Sequence, residues 1–136
     1  MASKSDVLEK KILDVVLGAV AYTSPVTVWC ALYTAAPTDA GAGTEVAGNG
    51  YARVSITNNV TNWPAATGTT ATKNNGTVIT FPADITANWG AIVAFGIHDN
   101  ATLDQLLYWG LVTPNVTVNV GTTPSFAVNA LTITED

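Results

Sequence analysis

Val26-Thr27-Val28-Trp29-Cys30-Ala31-Leu32-Tyr33 alternates two sets of side chains, and neither set carries a charge. In an extended chain Val26, Val28, Cys30 and Leu32 fall on one side, and Thr27, Trp29, Ala31 and Tyr33 on the other. Such a stretch reads as a β-strand covered on both faces. Residues 51–57 alternate in the same way, with Ala52, Val54 and Ile56 facing one direction. Residues 77–81, 91–97, 105–112, 116–120 and 125–134 give five further strands. Between them lie turn-forming residues, Asn75-Gly76 and Gly121-Thr122 among them. Residues 37–50 are a loop rich in Gly, Asp and Asn. Residues 58–76 are a long polar connection that holds Trp63-Pro64, and loops of that length usually make contacts. Seven short strands with Gly, Asn and Pro turns predict a mainly β chain, an antiparallel β-sandwich or jelly roll.

Upstream of this region the period changes. Val7, Leu8, Ile12, Val15, Val16 and Ala19 recur at three- and four-residue spacing, so one short N-terminal helix is expected. Asp6 and Glu9 give an Asp-x-x-Glu start resembling a capping box, and Gly18 is a natural stop. About three turns do not hold in water alone, so the apolar stripe must dock. It docks either on the chain's own β-structure or at a subunit or particle interface. Residues 1–22 are accordingly read as an N-terminal arm and helix, and 23–136 as a β-sandwich domain. Lys10-Lys11, residues 12–20 and Ala19-Val20-Ala21 imitate a signal peptide. Asp14 in the apolar part and Glu9 in the basic part argue for a retained helix.

Composition narrows the function. Charged residues make up 11% of the 136, against roughly 25% in an ordinary soluble domain. After Lys11 only Arg53 and Lys73 are basic. A surface this poor in charge suits a part packed against other copies or a larger body. A net charge of −5 argues against nucleic acid and anionic membranes as partners. No apolar run reaches the ~20 residues of a membrane-spanning helix. One cysteine, Cys30, and one histidine, His98, cannot build a zinc site, and no cofactor is expected.

Candidate chemistry is thin. His98-Asp99 could be a base and its orienting carboxylate, with Ser55 or Ser125 as nucleophile. Adjacent strand residues point to opposite faces, however, and neither serine lies in a nucleophile elbow. Asp39, Glu45, Asp84, Asp99 and Asp104 lack the spacing of a calcium loop. Gly48-Asn49-Gly50 lacks the Lys-Ser/Thr of a phosphate loop. Asn-x-Thr at Asn59, Asn75, Asn100 and Asn115 is expected by chance in a chain this rich in Asn and Thr. Trp29, Trp63, Trp89 and Trp109 with Tyr33, Tyr51 and Tyr108 could form a sugar-stacking surface. Trp63, in a polar loop, is the best candidate for exposure, whereas Trp29 and Trp109 fit core or interface anchors.

Several blocks carry a resemblance. ALYTAAPTDAG (31–41), GTEVAGNGYARV (43–54), NWPAA (62–66), NGTVITFP (75–82), WGAIVAFGIHD (89–99) and the closing ALTIT (130–134) are similar to small tailed-bacteriophage virion proteins. These are described as tail-fibre-like or virion structural proteins. The resemblance implies an accessory component of the virion, assembled in the host bacterial cytoplasm, and not an enzyme. It carries over no catalytic residue. Neither heptads nor repeats of a fibre shaft are present. The leading expectation is therefore a capsid decoration, or cement, protein. It would act as a homotrimer bridging neighbouring major capsid protein subunits, through Val7, Leu8, Ile12, Val15 and Val16 with Trp63. The alternative is a tail- or head-fibre module that binds host surface carbohydrate, Trp63 being its contact.

Overall fold

The computed structural model describes residues 2–103 and 105–135. In chain order the elements are β1 (Ala2–Lys4), α1 (Asp6–Gly18), β2 (Thr27–Ala35), β3 (Thr44–Glu45), β4 (Val54–Thr57), β5 (Thr72–Asn74), β6 (Ile79–Thr80), β7 (Gly90–His98), β8 (Leu106–Val118), β9 (Ser125–Phe126) and β10 (Thr132–Thr134). The fold is mainly β and antiparallel with one short N-terminal helix, as the alternation requires. Six strands form the main sheet in the order β1-β8-β7-β2-β3, with β4 also paired to β2. The second layer is two short ribbons, β5 with β10 and β6 with β9, rather than one continuous sheet.

Strand β2 is central, which explains why both its faces are apolar. Cys30 pairs with Val54 on one side and Ile97 on the other. One face of the sheet presents Val28, Cys30, Leu32, Phe95, Ile97 and Leu107, and the ribbons lay Ile79, Phe81, Leu131 and Ile133 on it. Phe126 of β9 meets Phe81 and Phe95 edge-on, at centroid distances of 6.2 and 6.0 Å, geometry that ring quadrupoles favour. Cys30 is fully buried and burial pushes its thiol pKa up, so it behaves as a small core hydrophobe. The opposite face is thinner: Ala31, Tyr33 and Ala94 form its cluster beside His98.

Several expected boundaries move, each for a local reason. The expected strands 105–112 and 116–120 are one element, β8. Ile92 pairs with Val116 and Ala94 with Leu111, so residues 112–115 lie opposite Val93 alone. Pro114, which lacks an N–H, sits in this bulge, where no ladder bond is asked of it. The expected strand 125–134 divides into β9 and β10, because the chain turns through Asn129 at φ 63° and the two halves take different partners. β1, β3 and β5 are three residues or fewer and carry too little alternation to read in advance.

The polar connection 58–76 is folded tightly. Asn59 Oδ1 accepts from the N–H groups of Thr61 and Asn62 at 3.0 and 2.9 Å. Gly76 donates its N–H to Asn62 O at 2.7 Å, and a Cβ there would come 2.2 Å from Thr61 O. Asn75 is buried and its side chain joins the turn to the ribbons: Nδ2 donates to Thr77 O and Ala127 O, and Oδ1 accepts from Leu131 N–H, each at 2.8 Å. The Asn-x-Thr at Asn75 therefore serves the fold.

Candidate functional site

The expected interface residues lie mostly on α1. Its first turn is tightly held. Ser5, not Asp6, is the N-cap, with extended φ and ψ, and its Oγ accepts from Leu8 N–H at 3.3 Å. The same hydroxyl donates to Leu106 O, while Ser5 N–H donates to Leu107 O. Asp6 and Glu9 still occupy the first turn, where the helix dipole favours acids. The stop also lies one residue beyond its expected place: Ala19 takes the left-handed conformation, and Val20 N–H closes onto Asp14 O. β1 pairs with β8, and Lys4 forms an ion pair with Glu135, so the arm enters the sheet before the helix begins.

Beyond Lys11 every side chain of α1 is exposed. Leu8 is the helix's only buried residue, at 5% exposure, and its docking contributes about 2 kcal/mol. Val7, Ile12 and Val15 are exposed at the flank. Leu13, Val16 and Leu17 are open to solvent at 58%, 70% and 81%. The expected stripe thus divides: Leu8 caps the chain's own core, and the rest of its large apolar side chains face outward. Leu13 and Leu17 widen that outward surface, and a stripe drawn only from helical spacing omitted them.

Trp63 is not the exposed platform that its polar loop suggested. It is 6% exposed and belongs to the core cluster. The Asn59 and Gly76 contacts turn the loop inward and carry the indole with it. Trp89 is also buried, edge-on to Tyr51 at 5.3 Å with Nε1 donating to Asn49 O. Trp109 Nε1 donates to Asp39. The sequence-derived sugar-stacking aromatics are therefore dispersed, not assembled into one open surface.

His98 is fully buried on the far face of the sheet, with Nε2 2.8 Å from the Tyr33 hydroxyl. Burial first, and then the nearby positive charge of Arg53, lowers its pKa to about 4. Asp99 faces Lys11 at 3.6 Å. Ser55 and His98 both pair with Trp29, on opposite sides of β2, so they stand two strand spacings apart, about 10 Å. Ser125 lies in the β6–β9 ribbon. Neither serine forms a nucleophile–base pair with the histidine.

The polar group that the sequence did not announce surrounds Arg53. Its guanidinium grips Glu45 through two bonds, Nε to Oε1 at 2.8 Å and a terminal nitrogen to Oε2 at 2.7 Å. It also donates to the Asn100 and Leu103 carbonyls, and so holds residues 99–103 against the sheet. Tyr51 donates to Glu45 at 2.8 Å and accepts from Leu32 N–H. Burial works to raise the Glu45 pKa, but the Arg53 and Tyr51 hydrogen bonds outweigh it and the net shift is downward. Of the other expected carboxylates, Asp84 accepts from Trp89 N–H, and Asp104 lies outside the described residues. Among the described residues no group of three His, Cys, Asp or Glu could hold a metal ion, and no helix is long and apolar enough to cross a membrane.

A family model described as "Podophage GP4 fiber I protein gp80" matches residues 3–134. The chain belongs to this family. It is therefore a phage virion structural protein of the fibre type, and the resemblance carried by its sequence blocks holds at that level. No curated protein matches the chain. The gp80-family match spans α1, every strand from β2 through β10 and all of β1 but Ala2, so the outward helix is part of the family's unit.

Proposed function

We propose that this gp80-family chain is a structural part of a podophage fibre, joined to the virion by the outward apolar face of α1. The observation that carries the reading is the exposure of Leu13, Val16 and Leu17 on a helix whose first turn is fixed to the sheet. An exposed apolar surface on a rigid base is what a partner covers, and its burial is a main source of association free energy. The family description favours a fibre over the capsid shell as the location. A homotrimer is the assembly we favour, with other virion proteins as further partners and host surface carbohydrate as the target of the fibre.

Capsid decoration is the second reading. It is favoured by the absence of heptads or repeats and by a charge-poor chain suited to burial at several contacts. Quantitative mass spectrometry of purified virions separates the two. A small number of copies relative to the major capsid protein is expected for a fibre. A number comparable to the capsid protein would overturn the fibre reading in favour of decoration.

A further inference from the structure

The chain holds two Asn-Gly pairs, Asn49-Gly50 and Asn75-Gly76. In such a pair a peptide nitrogen follows a side-chain amide, and glycine puts no side chain in the way of a ring closing between them. The fold treats the two pairs oppositely. Asn75 is buried, its amide is held by Thr77 O, Ala127 O and Leu131 N–H, and the Gly76 N–H donates to Asn62 O. Neither the amide carbon nor the nitrogen that would attack it is free to move.

Asn49-Gly50 is open. Asn49 is half-buried and Gly50 is exposed. Among the described residues no group accepts from the Gly50 N–H or from Asn49 Nδ2. Thr86 Oγ1 donates to Asn49 Oδ1 at 2.8 Å. That hydroxyl is placed at the oxygen on which negative charge develops when the amide carbon is attacked. The turn itself calls for this pair. Asn49 has φ 52° and Gly50 φ 84°, the left-handed region that Asn and Gly tolerate best. A Cβ at position 50 would also come 2.9 Å from Ile85 Cγ1 and 3.0 Å from Ala83 O.

We propose that Asn49-Gly50 is a modification site, at which the side-chain amide becomes an acid without an enzyme. Hydroxide removes the Gly50 N–H proton, and the nitrogen attacks Asn49 Cγ while Thr86 stabilises the oxyanion. The Cγ–Nδ2 bond then breaks, the departing nitrogen takes a proton from water, and ammonia leaves a succinimide ring. Water opens the ring at either carbonyl, giving aspartate or isoaspartate, and each adds one negative charge. In isoaspartate the main chain runs through Cβ and Cγ, and the former Asn49 carbonyl becomes a free carboxylate. That carbonyl accepts from Ile85 N–H and Trp89 Nε1, both at 3.2 Å. The conversion therefore loosens turn 48–50 from residues 85–89. The site stands apart from α1, so it is independent of how the chain joins the virion.

The test incubates the full-length folded chain in mildly alkaline buffer, beside the same chain unfolded in guanidinium, and maps the peptides by mass spectrometry over time. In the folded chain the peptide holding Asn49 should gain the mass of an amide-to-acid change and separate into aspartate and isoaspartate forms. The peptide holding Asn75 should react only when the chain is unfolded. Thr86→Val should slow the folded-state reaction at Asn49 about fivefold, the worth of one hydrogen bond. If Asn49 stays intact in the folded chain, the fold protects the turn and the proposal is overturned. A Thr86→Val rate equal to that of the parent overturns it as well, because the fold would then add nothing to the dipeptide.

Discussion

The Tyr33 hydroxyl and His98 Nε2 lie 2.8 Å apart on the far face of the main sheet, with both side chains buried. The rings stack at 6.3 Å, and His98 Nδ1 is without a partner. Imidazolium is disfavoured there, by burial and by Arg53. A histidine pKa of about 4 in the folded chain against 6.5 in the unfolded one makes stability depend on acid. Below pH 6.5 the unfolded state takes up a proton that the folded state refuses. Stability is therefore complete above pH 6.5 and is lost as pH falls toward 4, by about 3 kcal/mol over the interval. Urea midpoints across pH 7 to 4 should show this slope, and His98→Gln should flatten it. An unchanged slope in His98→Gln would assign the acid sensitivity to the carboxylates.

Gly96 lets those two rings lie close to the strand. A Cβ at this position would come 2.9 Å from both Tyr33 Cε2 and Leu106 Cδ1. Gly96→Ala should destabilise by about 1–3 kcal/mol through overpacking. Gly48→Ala is the contrast: it has no atom within 4 Å, and its cost comes from φ +70° alone. Thermal unfolding of the two variants compares crowding with backbone strain.

Arg53 joins Glu45 to the Asn100 and Leu103 carbonyls. Arg53→Ala removes all four bonds and leaves Glu45 without its counter-charge, at a cost of about 3 kcal/mol. Arg53→Lys keeps the charge but loses the planar fork, so about half the loss should persist. Hydrogen exchange should show residues 99–103 opening first in both. Equal stability of Arg53→Lys and the parent would mean that charge alone matters.

Asn75→Ala leaves Thr77 O, Ala127 O and Leu131 N–H unanswered inside the protein. A loss of about 3 kcal/mol in denaturant unfolding is expected. Asn75→Asp should also destabilise, because a carboxylate cannot donate to the two carbonyls.

Val16→Lys and Leu17→Lys touch no core group and should change stability by less than about 0.5 kcal/mol. Incorporation into particles, measured by immunoblot of purified virions, should fall sharply. Normal incorporation of both variants would place the assembly contact elsewhere. Removing residues 1–20 is a poorer experiment, because it also strips β1 from β8 and Leu8 from the core.

The sequence by itself determined the class of fold and the kind of protein. Period-two alternation centred on residues 26–33 is a local signal, fixed by the geometry of an extended chain. Helical spacing over Val7–Ala19 is equally local, and the low charge and sequence blocks pointed to a virion component. Tertiary structure decided what no short window holds. Trp63 sits in a polar stretch but is drawn inward by Asn59 and Gly76, whose bonds depend on the closed loop. Arg53 and Glu45 are eight positions apart and meet because β3 and β4 both pair with β2. Leu8 and Val16 look alike in the helical pattern. Only the anchoring of Ser5 on β8 turns one into the core and leaves the other outside, because burial depends on what the fold places opposite a residue as well as on its period.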